Sequence, residues 1–172
     1  MARRALLLLS LVSLLHAQPL LPGFEGETLA GRKLTMPGAV HGHSAILVIG
    51  FTNASGPQCD QWARRLARDF GSNTELERYS VVFLEDAPRL VRGVAKSKIR
   101  SGVPKEEYNN FLIVTAREKE VKAAVRFEIP DDTYVVLLGI DGAVLWTYHG
   151  PVSDEPIRQI RERVNQPSRG TL

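Results

Sequence analysis

The sequence is poor in cysteine. Cys59 stands alone among 172 residues. That excludes an intramolecular disulfide framework, a cysteine-rich zinc module and dithiol redox chemistry within one chain. Aromatic residues make up only 7%, and no run of Lys or Arg interleaves with them, so the footprint of a nucleic-acid binder is missing. Beyond residue 17 no apolar stretch approaches the ~20 residues of a membrane-spanning helix. Charged residues contribute 24% and hydrophobic ones 44%. These are the proportions of an ordinary globular chain, not of a disordered, collagen-like or coiled-coil one. The length suits one domain.

What is present starts with a leader pattern. Arg3 and Arg4 precede an apolar run from Ala5 to Leu15, and Ala17 is a small residue before Gln18-Pro19. Residues 1–17 read as a signal peptide; Leu15 leaves the cut itself open. A buried N-terminal helix and an uncleaved anchor are the alternatives. The segment has no cysteine and so is no lipoprotein anchor. Its loss leaves 20 cations against 19 acids, a net charge of +1 in place of +3. The basic balance thus belongs partly to the leader and does not argue for nucleic acid. The expected location is outside the cytoplasm, periplasmic or secreted, where thiols are usually paired. Asn53-Ala54-Ser55 is an N-glycosylation pattern, with meaning only in a eukaryotic secretory pathway.

Residues 18–43 are rich in Gly and Pro and read as an N-terminal extension with a short hairpin, Leu34 and Met36 facing one way. Residues 44–165 form the main domain, and 166–172 a frayed tail. Ala45–Phe51 is a continuous apolar run, the mark of a strand buried on both faces. A helix follows, with Ser55 as cap and Pro57 in its first turn. Trp62, Leu66 and Phe70 form its apolar stripe. Tyr79–Leu84 is the next strand. Asp86 is placed to cap a second helix running to Arg100, with Leu90, Val91, Val94 and Ile99 inward. Residues 104–110 hold a helical turn before the strand Phe111–Val114, and Glu118–Val125 is a third helix. Thr133–Leu138 and Ala143–Tyr148 pair across an Asp141-Gly142 turn of the favoured hairpin type. A last helix opens at Ser153-Asp154-Glu155-Pro156 and buries Ile157, Ile160 and Val164. This order predicts a three-layer α/β sandwich with a mixed sheet, a C-terminal β-hairpin and a closing helix.

Particular residues narrow that class. A buried strand ends at Gly50-Phe51 and leads to Gly56-Pro57-Gln58-Cys59 at a helix start. This resembles the active-site region of thioredoxin-like proteins, with Gly56 where the first cysteine stands. Leu138–Trp146 resembles the hairpin of exported TlpA-like and redoxin proteins, and Gly26–Met36 their lead-in segment. Ile99–Tyr108, Asp141–Trp146 and Gly150–Glu155 are similar to stretches of the thioredoxin-like assembly factors of mitochondrial ATP synthase and their bacterial relatives. The resemblance spans most of residues 24–165 and implies the thioredoxin-like fold. Two features depart from it. The CxxC pair is missing, and the cis-proline that faces the cysteines in the family falls, by register, near Val135. Pro130 is the nearest proline, five residues earlier.

Cys59 is the candidate catalytic residue. At a helix start its thiolate would be favoured. In peroxiredoxins, which this fold resembles, the reactive cysteine follows a threonine by three positions; here that position is Gly56, and Thr52 is out of register. A peroxidase also needs an arginine, and Arg100 and Arg126 are the candidates. The opposing reading packs Cys59 inward beside Trp62 as a small buried hydrophobe. His41 and His43 could hold a metal with His149, but as two histidines in a Gly-rich loop they read as solvated loop residues, with no metal and no cofactor expected. Glu128, Asp131 and Asp132 read as a solvated turn, although paired carboxylates also serve acid/base chemistry. Trp146 and Tyr148 read as core by default, with an exposed aromatic face for a partner as the alternative. The expected function is binding or assembly with a protein partner. The alternative is a one-cysteine thiol peroxidase or thiol oxidoreductase using Cys59. A Cys59-linked dimer is a third reading.

Overall fold

The computed structural model describes residues 20–165; the predicted leader and tail lie outside them. Seven strands form one sheet: β1 (Phe24–Thr28), β2 (Lys33–Met36), β3 (Ser44–Gly50), β4 (Leu76–Phe83), β5 (Phe111–Val114), β6 (Tyr134–Leu138) and β7 (Val144–His149). Four α-helices accompany them: α1 (Gly56–Phe70), α2 (Arg89–Gly102), α3 (Glu118–Ala124) and α4 (Asp154–Val164). The sheet order is β2-β1-β5-β4-β3-β6-β7. β4 pairs in parallel with β3 and β5, and the other pairs are antiparallel.

The apolar runs dictate this arrangement. Residues alternate across a strand, so a strand covered on both faces must be apolar throughout. Ala45, Leu47 and Ile49 of β3 join Tyr134, Val136 and Leu138 of β6 in one core, closed by Val121 of α3. Ile46 and Val48 join Val135 and Leu137 in the other, under Trp62, Leu66 and Phe70 of α1 and Ile157 and Ile160 of α4. These are the three layers: α1 and α4, the sheet, and α3. The N-terminal hairpin is continuous with this sheet, since β1 pairs with β5 as well as β2. Gly26 permits that approach. A Cβ there would stand 2.5 Å from Leu112 Cγ.

Several expectations give way. Ser55 does not cap α1 with its side chain; the hydroxyl turns back and donates to the Thr52 carbonyl (2.8 Å). Asp86 does not cap α2, which starts after Pro88, and its carboxylate faces Lys122 instead. The inner face predicted for α2 is wrong. α2 buries no residue, and Leu90, Val91 and Val94 point outward. The Asp141-Gly142 turn is neither of the favoured two-residue types, both of which need positive φ at the first residue. Only Gly142 has it. The Gly142 N–H donates to Gly139 O, and the Gly139 N–H to Ala143 O, making a longer turn with a bulge between Leu137 and Leu138. The isomer of Pro130, which the sequence leaves open, is not cis; among the described residues the cis peptide bond is Met36–Pro37. Trp146 and Tyr148, by contrast, follow the default reading and pack as core, not as an open aromatic face. They stack at 5.7 Å, pack on the α1/α4 core, and Trp146 Nε1 donates to Gln159 of α4.

Candidate functional site

The parallel strands β3, β4 and β5 point their C-terminal ends toward the loops before α1, α2 and α3, the usual place for a site in such a sheet. Cys59 lies there, in the first turn of α1, partly buried against Trp62 and its neighbours. Its position is over-determined. Gly50 closes β3 beneath it, and a Cβ at Gly50 would come within 3.0 Å of both Cys59 Sγ and Ser55 Oγ. The Thr52 hydroxyl donates to Pro130 O (3.0 Å) and accepts from the Ser55 N–H (3.2 Å). Gln58 Oε1 accepts from the Thr133 N–H (2.6 Å). Trp62 Nε1 donates to Gly150 O (2.9 Å), and the Gly150 N–H donates to Thr133 O (3.0 Å). The α1 start, the β6 start and the β7 end are thereby one rigid unit.

The residue facing the thiol is Thr133, fully buried, with Oγ1 sharing a hydrogen bond with Cys59 Sγ at 3.3 Å. The register count put that position two residues later, at Val135. Val135 lies instead in the core under α1. Burial pushes the Cys59 thiol above its ordinary pKa. The hydroxyls of Thr133 and Ser55 pull in the other direction and do not overcome it, and the Asp60 carboxylate raises the value further. No cation contributes to this balance. Arg100 is engaged elsewhere, donating to Leu29 O (2.6 Å) and lying over the Tyr108 ring. Arg126 follows α3 at φ 54°. Neither of these two arginines is among the groups that act on the thiol.

Next to this unit, His149 Nδ1 pairs with Asp132 at 2.8 Å, and the His149 ring stacks on Tyr134 at 5.4 Å. The Tyr134 hydroxyl accepts from the Glu128 and Ile129 N–H groups. Asp132 is therefore part of a latch between the 126–133 loop and β7, not a solvated turn residue. Phe51 and Phe127 extend the aromatic cluster, with Lys122 over both rings. The buried Glu118 carboxylate holds that Lys122 ammonium at 2.6 Å. His41 sits against Gly142, apart from this latch. Among the described residues no three His, Cys, Asp or Glu side chains gather as metal ligands.

The sequence brought Cys59 to attention through its helix-start position. It gave no signal for Thr133, Gln58 or the Asp132–His149 pair, because each acts through a contact between elements distant in the chain.

No family model matches this chain, and no curated protein matches it. Solved structures do. BsSco, a member of the Sco family of cytochrome c oxidase assembly proteins, superposes with a TM-score of 0.60 at 14% identity, over 87% of this chain and 96% of that one. The thioredoxin domain of a thiol-disulfide oxidoreductase from Bacteroides vulgatus gives 0.59 at 15% identity, over 87% and 99%. The exposed lipoprotein thioredoxin of Streptococcus pneumoniae gives 0.57 at 14%, over 82% and 99%. At these identities the likeness is one of fold. The chain has a thioredoxin-like fold, of the kind found in thiol-disulfide oxidoreductases. Its own site holds one cysteine, with Gly56 three residues before it and Thr133 against it.

Proposed function

We propose that this chain is an exported thioredoxin-like protein that binds or helps assemble a protein partner and does not turn over thiols. One observation carries the reading. Cys59, the only thiol, is desolvated, held by a neutral hydroxyl and without a neighbouring cation. A thiol in that setting stays protonated, whereas nucleophilic catalysis needs the thiolate. Two further points support the rest. The leader pattern of residues 1–17 favours export, as does the shared fold of an exposed lipoprotein thioredoxin. An assembly role on the same fold is described for BsSco.

The test is the pH dependence of Cys59 alkylation in the folded chain, with peroxide consumption followed on the same sample. The expected midpoint lies above the ~8.5 of a free thiol, and peroxide is not consumed catalytically. A midpoint well below that value, with turnover lost in Cys59→Ser, would overturn the proposal and install the one-cysteine peroxidase in its place.

A further inference from the structure

α2 is attached to the body by the wrong side. In a helix, residues four apart share a face. Arg92, Lys96 and Arg100 form the inward stripe. Arg92 donates to Glu85 O (2.7 Å) and Ala87 O (2.9 Å), Lys96 pairs with Glu27 at 3.6 Å, and Arg100 donates to Leu29 O. These polar tethers leave a cavity of about 300 Å³ beneath the helix, bordered by Leu29, Ser97 and Ile113. The opposite stripe is Leu90, Val94 and Lys98, with Val91 beside it. Leu90 is 95% exposed and Val94 70%. Aliphatic side chains are normally what a helix uses to dock, so their outward display on an otherwise ordered element marks an interaction surface.

The charge pattern and shape select the occupant. From Arg89 to Lys105 the chain carries six cations and no acid; Asp86 and Glu106 lie outside the stretch. Arg89 and Lys98 are exposed on α2 itself, and Lys105 is exposed in the turn that follows it. The surface is a convex helix with three aliphatic residues and no aromatic anchor. Protein interfaces of ordinary size bury about 800 Å² on each partner and draw on Tyr, Trp and Arg hot spots. A bilayer surface needs neither a groove nor an anchor. It accepts a shallow aliphatic ridge, and anionic headgroups attract the cations beside it. We propose that α2 lays Leu90, Val91 and Val94 into the headgroup boundary of an anionic lipid bilayer, with Arg89, Lys98 and Lys105 on the lipid phosphates.

The experiment uses the full chain. Binding to vesicles of phosphatidylcholine with phosphatidylglycerol, and to phosphatidylcholine alone, is measured by co-sedimentation, and hydrogen exchange is followed over residues 89–102. The expected result is binding to the anionic vesicles that weakens with salt, with amide protection concentrated in α2. Leu90→Glu/Val94→Glu should weaken it by about tenfold or more, and Lys98→Glu should reduce it with the apolar stripe intact. These side chains are exposed, so both variants keep the fold. Unprotected α2 amides on bound protein overturn the proposal, as does unchanged binding by the double variant. α2 protection that grows with protein concentration and needs no lipid also overturns it, and assigns the surface to a second copy.

Discussion

At the scale of single residues, the thiol and its hydroxyl partner are coupled. The native Cys59 thiol ionises at a higher pH than a free one, while the unfolded chain ionises near ~8.5. Above that value the unfolded state therefore binds fewer protons than the native state, and stability falls as pH rises toward the native pKa. Below it the contribution is fully present. Tyr79, pushed up to about 12 by burial and the Glu77 carboxylate, adds a similar loss only at higher pH, beyond the ~10 of an unfolded tyrosine. Denaturant midpoints between pH 7 and 10 should thus decline in the native chain and flatten in Cys59→Ala. A decline of the same slope in both would show that the thiol is not its source. Thr133→Val removes the hydroxyl that bonds Sγ at 3.3 Å while keeping the volume. It should slow alkylation at fixed pH by raising the thiol pKa further, and cost about 0.5–1.5 kcal/mol in denaturant melts. An alkylation rate that does not fall would mean the contact at 3.3 Å leaves the thiol unaffected.

At the scale of elements, the same apolar pattern has two fates. Ile160 of α4 is fully buried, whereas Leu90 of α2 is almost fully exposed. Ile160→Ala should cost about 2–5 kcal/mol, and Leu90→Ala should stay within about 0.5 kcal/mol of the native chain. Paired thermal melts decide it; a Leu90→Ala loss matching that of Ile160→Ala would mean α2 is buried in solution. The contrast also shows where local pattern stops carrying information. The β3 run and the Trp62-Leu66-Phe70 stripe were legible because hydrophobic period and burial agree there. On α2 the period was legible but the direction was not. A helix pattern identifies an apolar face without saying whether the sheet or something else covers it. The loops beside α2 offer the Glu85, Ala87 and Leu29 carbonyls and β1 the Glu27 carboxylate, and these draw in the Arg92-Lys96-Arg100 stripe.

At the scale of the whole molecule, the question is what separates this fold from a dithiol catalyst. The scaffold of the site was readable from the strand–loop–helix order and the Gly56-Pro57-Gln58-Cys59 start, and the structure places Cys59 where that order implies. The facing residue was not readable, because it is set by where β6 begins, at Tyr134, and by a contact with α1 that is 74 residues away in the chain, and a count back from Asp141 fixes neither. The chemistry itself can be counted. Reducing a disulfide takes two electrons, and an intramolecular product needs two thiols in one chain. One thiol can attack and form a mixed disulfide, but nothing in the chain resolves it. Gly56 is where a second thiol would fit, since a Cβ there meets nothing within 4 Å. Gly56→Cys should therefore be tolerated and should form a disulfide with Cys59 on oxidation, seen as loss of both free thiols without a dimer on a non-reducing gel. The reduced variant should then reduce a soluble disulfide substrate catalytically in the presence of dithiothreitol, well above the native chain. If the disulfide forms and turnover does not appear, the missing cysteine is not the only barrier. Thr133 against the thiol would then be the next position to change, with Thr133→Pro in the Gly56→Cys background. Turnover restored by that second substitution would place the loss of catalysis in both residues together, and so in the site as a unit.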